Sequence, residues 1–426
     1  MLEIAIIGAG PAGLATALQL HQKGFRPSIY ESVSEIRPLG VGLDIKPYAT
    51  REIVEIGLFD EFCSISVEAR ESIFLNGWGQ QIFAEKCGLH MGYSNEQRFV
   101  HRGSFQMMLY DAVRRRIGPD AVQLGARCIG IDQDERGVTV RFEPQRPDAP
   151  TEIRADIVIG VDGIKSAVRN QLLPQSVGTH YSGITLWRGV TVMKPWKSGG
   201  SILHIGDPVR QGSLIVYPIQ NNTDGKGNQL INWVIEQNGR PEIVEDWNHL
   251  VTPNEVPNLF EECRLDFIDL GEMVHSAREV YIFPLVDHDP LPHWSFGRIT
   301  LLGDAAHAMY PRGGNGVCQA LVDARVIAEK LASIPDPIEA LREYEAERRE
   351  AVNWIVHANR SDGPEIVRRI AEERSGGKPF AGINSIMPNA EIESIFMEYH
   401  RKAGMRRPDD ESGKPCAFPS VFTASH

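Results

Sequence analysis

The chain opens on an unbroken apolar run, Ile4-Ala5-Ile6-Ile7, followed by a glycine turn and a helical stretch that continues through Lys23 and stops at Gly24. Pro27-Ser28-Ile29-Tyr30-Glu31 then reads as a second strand, which completes a βαβ unit. Apolar strands without alternation are those of a parallel sheet covered on both faces. Two later segments share this texture, Asp156–Val161 and Ile299–Leu302, each ending at a turn that carries an acid. Between about 180 and 285 the pattern changes to β-branched and aromatic runs, Gly183–Met193, Gly212–Ile219 and Leu230–Glu236, which predict an antiparallel sheet. From Asp336 to about Arg374, Ile338, Leu341, Tyr344, Val352, Ile355 and Val356 recur at helical spacing, with Glu and Arg on a solvated face. Residues 404–426 are polar and Pro-rich, a loosely held tail.

Residues 4–20 are uncharged, but Gly8, Gly10, Pro11 and Gly13 interrupt them and no basic flank precedes them. They suit neither a secretory signal nor a membrane span. At 426 residues, with 42% hydrophobic and 23% charged positions, the chain should fold as two or three globular domains. Fifty-six acids against forty-four bases leave −12, which disfavours general binding to nucleic acid or to an anionic membrane surface. Six cysteines without CxxC or CxxxxC spacing point to reduced thiols in the cytoplasm.

Gly8-Ala9-Gly10-Pro11-Ala12-Gly13 fits GxGxxG between a strand and a helix, the context that gives this pattern its meaning. Gly8 permits the turn, Gly10 admits a pyrophosphate, and Gly13 lets helix and strand pack closely. Glu31, eighteen residues past Gly13 and followed by Ser32, can accept both hydroxyls of an adenosine ribose. These residues alone leave NAD and FAD equally open. Asp162-Gly163 follows the second apolar strand. Gly303-Asp304-Ala305-Ala306-His307 follows the third, with Pro311, Gly314, Asn315 and Gly316 before the next helix. A carboxylate at a strand end can hold a ribityl hydroxyl, and a glycine-rich helix N-terminus favours negative charge beside a reduced flavin.

Taken in order, these three motifs make the chain resemble the single-component (group A) FAD-dependent aromatic hydroxylases of the p-hydroxybenzoate hydroxylase fold, over residues 2 to about 360. Pro38–Gly42, His101-Arg102-Gly103, Trp187–Val190 and Asp289–Trp294 look closest to the branch acting on 5-methylphenazine-1-carboxylate. The resemblance implies an α/β fold: a Rossmann-like FAD-binding domain (GR2-type) with an inserted mixed or antiparallel β-sheet substrate domain and C-terminal helices. It divides the chain into residues 1–75, 98–180 and 281–375 for the FAD domain, and 76–97 with 181–280 for the substrate domain.

The same resemblance assigns roles. Gly8, Gly10, Pro11, Ala12, Gly13, Glu31, Ser32, Gly42, Arg102, Cys128, Asp162, Gly163, Gly303, Asp304, Pro311, Gly314, Asn315 and Gly316 would bind FAD. Pro311 would stand beside the reactive flavin edge, and Cys128 near the adenine. Tyr217 is the first candidate for contact with substrate, followed by Asp44, Lys46, Trp187 and Arg188. Two departures stand out: Arg312 occupies a position where a small or apolar residue is usual, a cation able to change the charge that substrate feels, and His288 replaces the usual Arg before Asp289-Pro290, so the contact that Arg makes is not expected here. The implied reaction uses NADH or NADPH as a transient co-substrate and O2, and hydroxylates a small aromatic or N-heteroaromatic molecule through a flavin C4a-hydroperoxide. Alternatives are an oxidase or reductase of the same fold, or a non-catalytic dinucleotide-binding protein. No metal cluster, Walker loop or GxSxG elbow is present in the sequence, and oligomeric state, a homodimer included, stays open.

Overall fold

The computed structural model describes residues 2–38, 40–176, 178–207, 212–239, 249–408 and 420–422. Leu39, Cys416 and most of the 404–426 tail lie outside the described residues. A six-stranded sheet runs in the order 295–296, 299–301, 157–160, 4–7, 28–31 and 122–124. Its strands are parallel except for the 295–296 edge. Strands 4–7, 157–160 and 299–301 are immediate neighbours, which is why the three turns that follow them share one edge of the sheet. Helix Pro11–Gln22 packs against helix Gly316–Ser333 on this sheet, and Ile4 to Ile7 are all buried, as unalternated strands require.

A second sheet has eight strands in the order 250–251, 280–287, 180–193, 229–238, 212–220, 201–207, 71–75 and 81–86. It is antiparallel except where 201–207 runs parallel to 71–75. Strands Glu71–Leu75 and Val280–Asp287 therefore belong to the large sheet, which corrects the divisions drawn at 75 and 281. Two three-stranded sheets complete the β structure, 126–134 with 137–144 and 152–155, and 42–45 with 66–68 and 98–101.

Helix Pro337–Arg360 continues the expected helical region, and Ile366–Ser375 and Asn389–Lys402 follow it. The second of these closes over the large sheet: Phe396 meets Phe74 edge-on at 4.9 Å and lies stacked on Phe83 at 5.0 Å. Part of the tail is anchored, since Phe422 is buried against Trp354 and Tyr399. The five cysteines among the described residues are free thiols. No helix among the described residues is long and apolar enough to cross a membrane.

Candidate functional site

The glycine turn shows three different constraints. Gly8 has φ +115°, and a Cβ there would meet the Val161 carbonyl oxygen at 2.4 Å. A Cβ on Gly13 would lie 2.0 Å from the Gly8 oxygen, so strand and helix close only over glycine. At Gly10 nothing lies within 4 Å. The turn is thus sealed on its protein side and open at the one glycine where a pyrophosphate needs room. Glu31 tethers it, one carboxylate oxygen accepting from the Ala9 amide at 2.8 Å and the other from the Ser32 hydroxyl and Val33 amide.

The third turn is equally specific. Gly303 adopts φ 61°, ψ −143°, a region that only glycine enters readily. Asp304 next to it is exposed and makes no hydrogen bond to any described residue. A cradle at Gly10 and an unpaired carboxylate at a neighbouring strand end fit the pyrophosphate and ribityl portions of FAD.

From these turns one cavity of about 400 Å³ leads to the large sheet, a size suited to a small ligand. Gly10, Pro11, Ala12, Gly163, Asp304 and Arg102 line one part. Gly42, Asp44, Lys46, Pro311, Gly314 and Gly316 line the middle. Arg188, Tyr217, Phe74, Ile215 and Val234 present the sheet. A larger cavity, about 1140 Å³, lies under residues 256–276 and contains none of the three turns, so its size gives it no chemistry.

Asp44 and Lys46 alternate to one face of strand Gly42–Ile45 and pair at 2.7 Å. Asp44 also accepts from Gln97. Burial lowers the Lys46 pKa, but Asp44 more than restores it, and the net shift is upward. Gly314 packs directly on this pair, and a Cβ there would come within 3.3 Å of Lys46 Cε. Burial raises the Tyr217 pKa, so the phenol stays protonated, and its hydroxyl has no partner among the described residues. A Cβ on Gly42 would strike the Tyr217 ring at 2.6 Å, so glycine makes room for it. Arg188 is enclosed, with its Nε buried and unpartnered and its guanidinium 5.5 Å from the Phe283 ring centroid. Burial lowers its pKa, which an anionic ligand would reverse.

Several sequence-derived candidates lie elsewhere. Strand alternation sends Trp187 to the far side of the sheet, where it is buried with Trp233 and donates to Gln237 at 3.1 Å. It therefore does not share the cavity with Arg188. The Asp162 carboxylate turns toward helix Ala167–Leu172, accepting from the Ala167 and Val168 amides and the Ser166 hydroxyl. It holds the turn, and Gly163 rather than Asp162 lines the cavity. Asn315 is buried, accepting from Tyr48 and donating to Tyr399. Gly8, Gly13, Glu31, Ser32, Cys128 and Gly303 lie outside the lining.

Arg312 does not itself line the cavity, and its cation is paired with Asp362 and with Glu236, which does line it. His288 bonds the Ile164 carbonyl at 2.8 Å and so braces the second turn. His307 is buried, bonded to Asp323 at 2.6 Å and with its ring tilted against Trp294 at 5.1 Å, a structural role. Sequence reasoning missed Glu85, His204, Phe396, Tyr399 and His400, all of which line the cavity. Ile392, Ile395, Phe396 and Tyr399 carry a helical apolar spacing that would have revealed the last helix.

A family model described as FAD binding domain matches residues 1–359. Phenazine 1,6-dicarboxylic acid hydroxylase PhzS of Lysobacter antibioticus is 37% identical over 366 residues, covering 84% of this chain and 89% of that protein. Salicylate hydroxylase of Pseudomonas putida is 28% identical over 379 residues, 82% of each. Among solved structures, Klebsiella pneumoniae HpxO complexed with FAD and uric acid matches with a TM-score of 0.73 at 22% identity, over 93% of this chain and 97% of that one, a likeness of fold.

Proposed function

Because the chain belongs to the FAD binding domain family, we propose that it is a flavoprotein monooxygenase that holds FAD across the three strand ends and hydroxylates a flat aromatic or N-heteroaromatic molecule beside the large sheet. One observation carries this reading: a single cavity joins Gly10 and Asp304 to a chamber bounded by Phe74, Arg188 and Tyr217. Relatives named for phenazine 1,6-dicarboxylic acid and 6-hydroxynicotinate support a heteroaromatic ring as substrate.

When bound, FAD takes electrons from NADH or NADPH and, with O2, supplies an electrophilic oxygen atom to the ring. The chain supplies position and environment. Gly8 and Gly10 would shape the pyrophosphate cradle, Asp304 would accept from the ribityl chain, and Arg102, which starts helix Arg102–Arg116 and lines the cavity, would meet the phosphates. Tyr217, protonated and unpartnered, donates a hydrogen bond to an oxygen or nitrogen on the ring. Arg188 stabilises negative charge on that substituent, which enriches the ring for electrophilic attack. Ile202, Ile215, Val234 and Phe396 exclude water, which would otherwise divert reducing equivalents to hydrogen peroxide.

The test is oxygen labelling. FAD-loaded protein, NADH or NADPH and a panel of phenazines, hydroxypyridines and hydroxybenzoates should give a hydroxylated product carrying label from O2. Reductant consumption without incorporation, across the panel, would leave an oxidase or reductase of the same fold.

A further inference from the structure

Helix Gly316–Ser333 begins at the cavity: Gly316 and Val317 line it, and a Cβ on Gly316 would meet nothing within 4 Å. The first amides of a helix lack intrahelical acceptors, and an asparagine just before them ordinarily supplies one from its side chain. Asn315 stands in that place and makes no such bond. It is held at φ −91° and ψ −20°, outside the extended conformation of a capping residue. The Gly316 and Val317 amides accordingly have no partner among the described residues.

Two phenols from other elements turn Asn315 away. Tyr48, on helix Pro47–Glu55, donates to Asn315 Oδ1 at 2.6 Å. Asn315 Nδ2 donates to the Tyr399 hydroxyl at 2.8 Å and to the Gly313 carbonyl at 3.3 Å. The proton of each phenol is committed. Gln319 donates to the Tyr48 oxygen at 2.9 Å, so that hydroxyl directs its own proton to Asn315. Asn359 Nδ2 donates to the Tyr310 carbonyl at 3.0 Å, which leaves Asn359 Oδ1 to accept from Tyr399 at 2.5 Å. Burial keeps both phenols protonated. Tyr399 has no slack: a Cβ on Gly313 would lie 2.4 Å from its oxygen, and the Trp354 and Phe422 rings back it at 5.9 and 5.6 Å. It comes from helix Asn389–Lys402, beyond the end of the matched family model at residue 359.

Building on the monooxygenase reading, with FAD reaching Gly314 and Gly316, we propose that Tyr48 and Tyr399 are positioning residues for the flavin. They hold Asn315 off its own helix, so that the first amides of that helix stay free for the pyrimidine end of the cofactor. A helix N-terminus favours negative charge, and the reduced flavin carries its charge at that end. Without either phenol, Asn315 turns to cap its own helix, and the flavin competes with a side chain for the same amide. The reduced state, being charged, loses more than the oxidised one.

The experiment uses the full chain with Tyr48→Phe and Tyr399→Phe, singly and each combined with Asn315→Ala. In the FAD-loaded proteins each single variant should bind reduced FAD about ten-fold more weakly relative to oxidised FAD, the lower end of what one charge-assisted hydrogen bond contributes. The midpoint potential then falls by about 30 mV. Adding Asn315→Ala removes the competing cap and should restore the wild-type midpoint. In the apoproteins, hydrogen exchange at the Val317 amide should slow about ten-fold in each single variant because the amide gains an acceptor, whereas a merely loosened helix would exchange faster. A midpoint that stays or rises, a shift that survives Asn315→Ala, or Val317 exchange that does not slow overturns the role of the phenols and leaves the monooxygenase reading intact. A wild-type chain that binds no FAD overturns both.

Discussion

Replacing Gly10 by alanine should leave the apoprotein as stable as before and cripple its affinity for FAD. Gly10 has φ −67° and ψ 173°, a conformation alanine adopts freely, and a methyl group there touches nothing within 4 Å. The substitution also removes backbone freedom from the unfolded chain, worth about 0.4–1 kcal/mol in favour of folding. In the loaded protein the same methyl stands where the pyrophosphate approaches. Holding the phosphates off costs at least one charge-assisted amide contact, about 1.5–3 kcal/mol, or roughly 10- to 150-fold in Kd. Gly13→Ala is the control, because its Cβ would lie 2.0 Å from the Gly8 oxygen and the helix must move off the strand. That variant should lose about 1–3 kcal/mol of apoprotein stability. Thermal unfolding of the apoproteins and titration of FAD by flavin fluorescence separate the two effects. Wild-type FAD affinity in Gly10→Ala, or an apoprotein as destabilised as Gly13→Ala, would refute the reasoning.

Asp304→Ala should weaken FAD binding by about 10- to 150-fold with little change in apoprotein melting, since the carboxylate has no described protein partner to lose. Tyr217→Phe should stay within about 0.5 kcal/mol of wild-type stability while raising the substrate KM about 5- to 10-fold and diverting reductant to hydrogen peroxide, measured by steady-state kinetics and peroxide assay. Glu85 sets a pH dependence of folding. Its pKa is raised by burial to about 7, so between the ordinary carboxylate range and about 7 only the folded chain holds the proton, and stability falls as pH rises through that window. Urea unfolding of apoprotein should therefore find Glu85→Gln gaining on the wild type by roughly 3 kcal/mol from pH 4 to pH 8. A constant difference between the two would contradict the burial of this carboxyl.

The three turns were legible because each combines a buried strand with a residue type that the backbone demands. Gly8, Gly13 and Gly303 are conformational or steric necessities, and such necessities are written in the residue itself. Which strands pair is a non-local matter. Nothing in Glu71–Leu75 announces a parallel partner at 201–207, so that strand fell on the wrong side of the expected division. Alternation separated Trp187 from Arg188, but the sequence could not say which of two faces held the cavity. Asp162 was read correctly as a turn residue, and only the hydrogen bonds reveal that its oxygens are already taken up by the helix. Glu85 and His204 are single polar residues on ordinary strands, made unusual only by what folds over them.

The residues that close the chamber, 364 to 405, come later in the chain than every residue proposed to hold the flavin. During synthesis from the N-terminus, strands 4–7, 157–160 and 299–301 can associate while the far wall is still unmade. The far wall is thus the last part of the chamber to leave the ribosome, and its shape depends on the chain being finished.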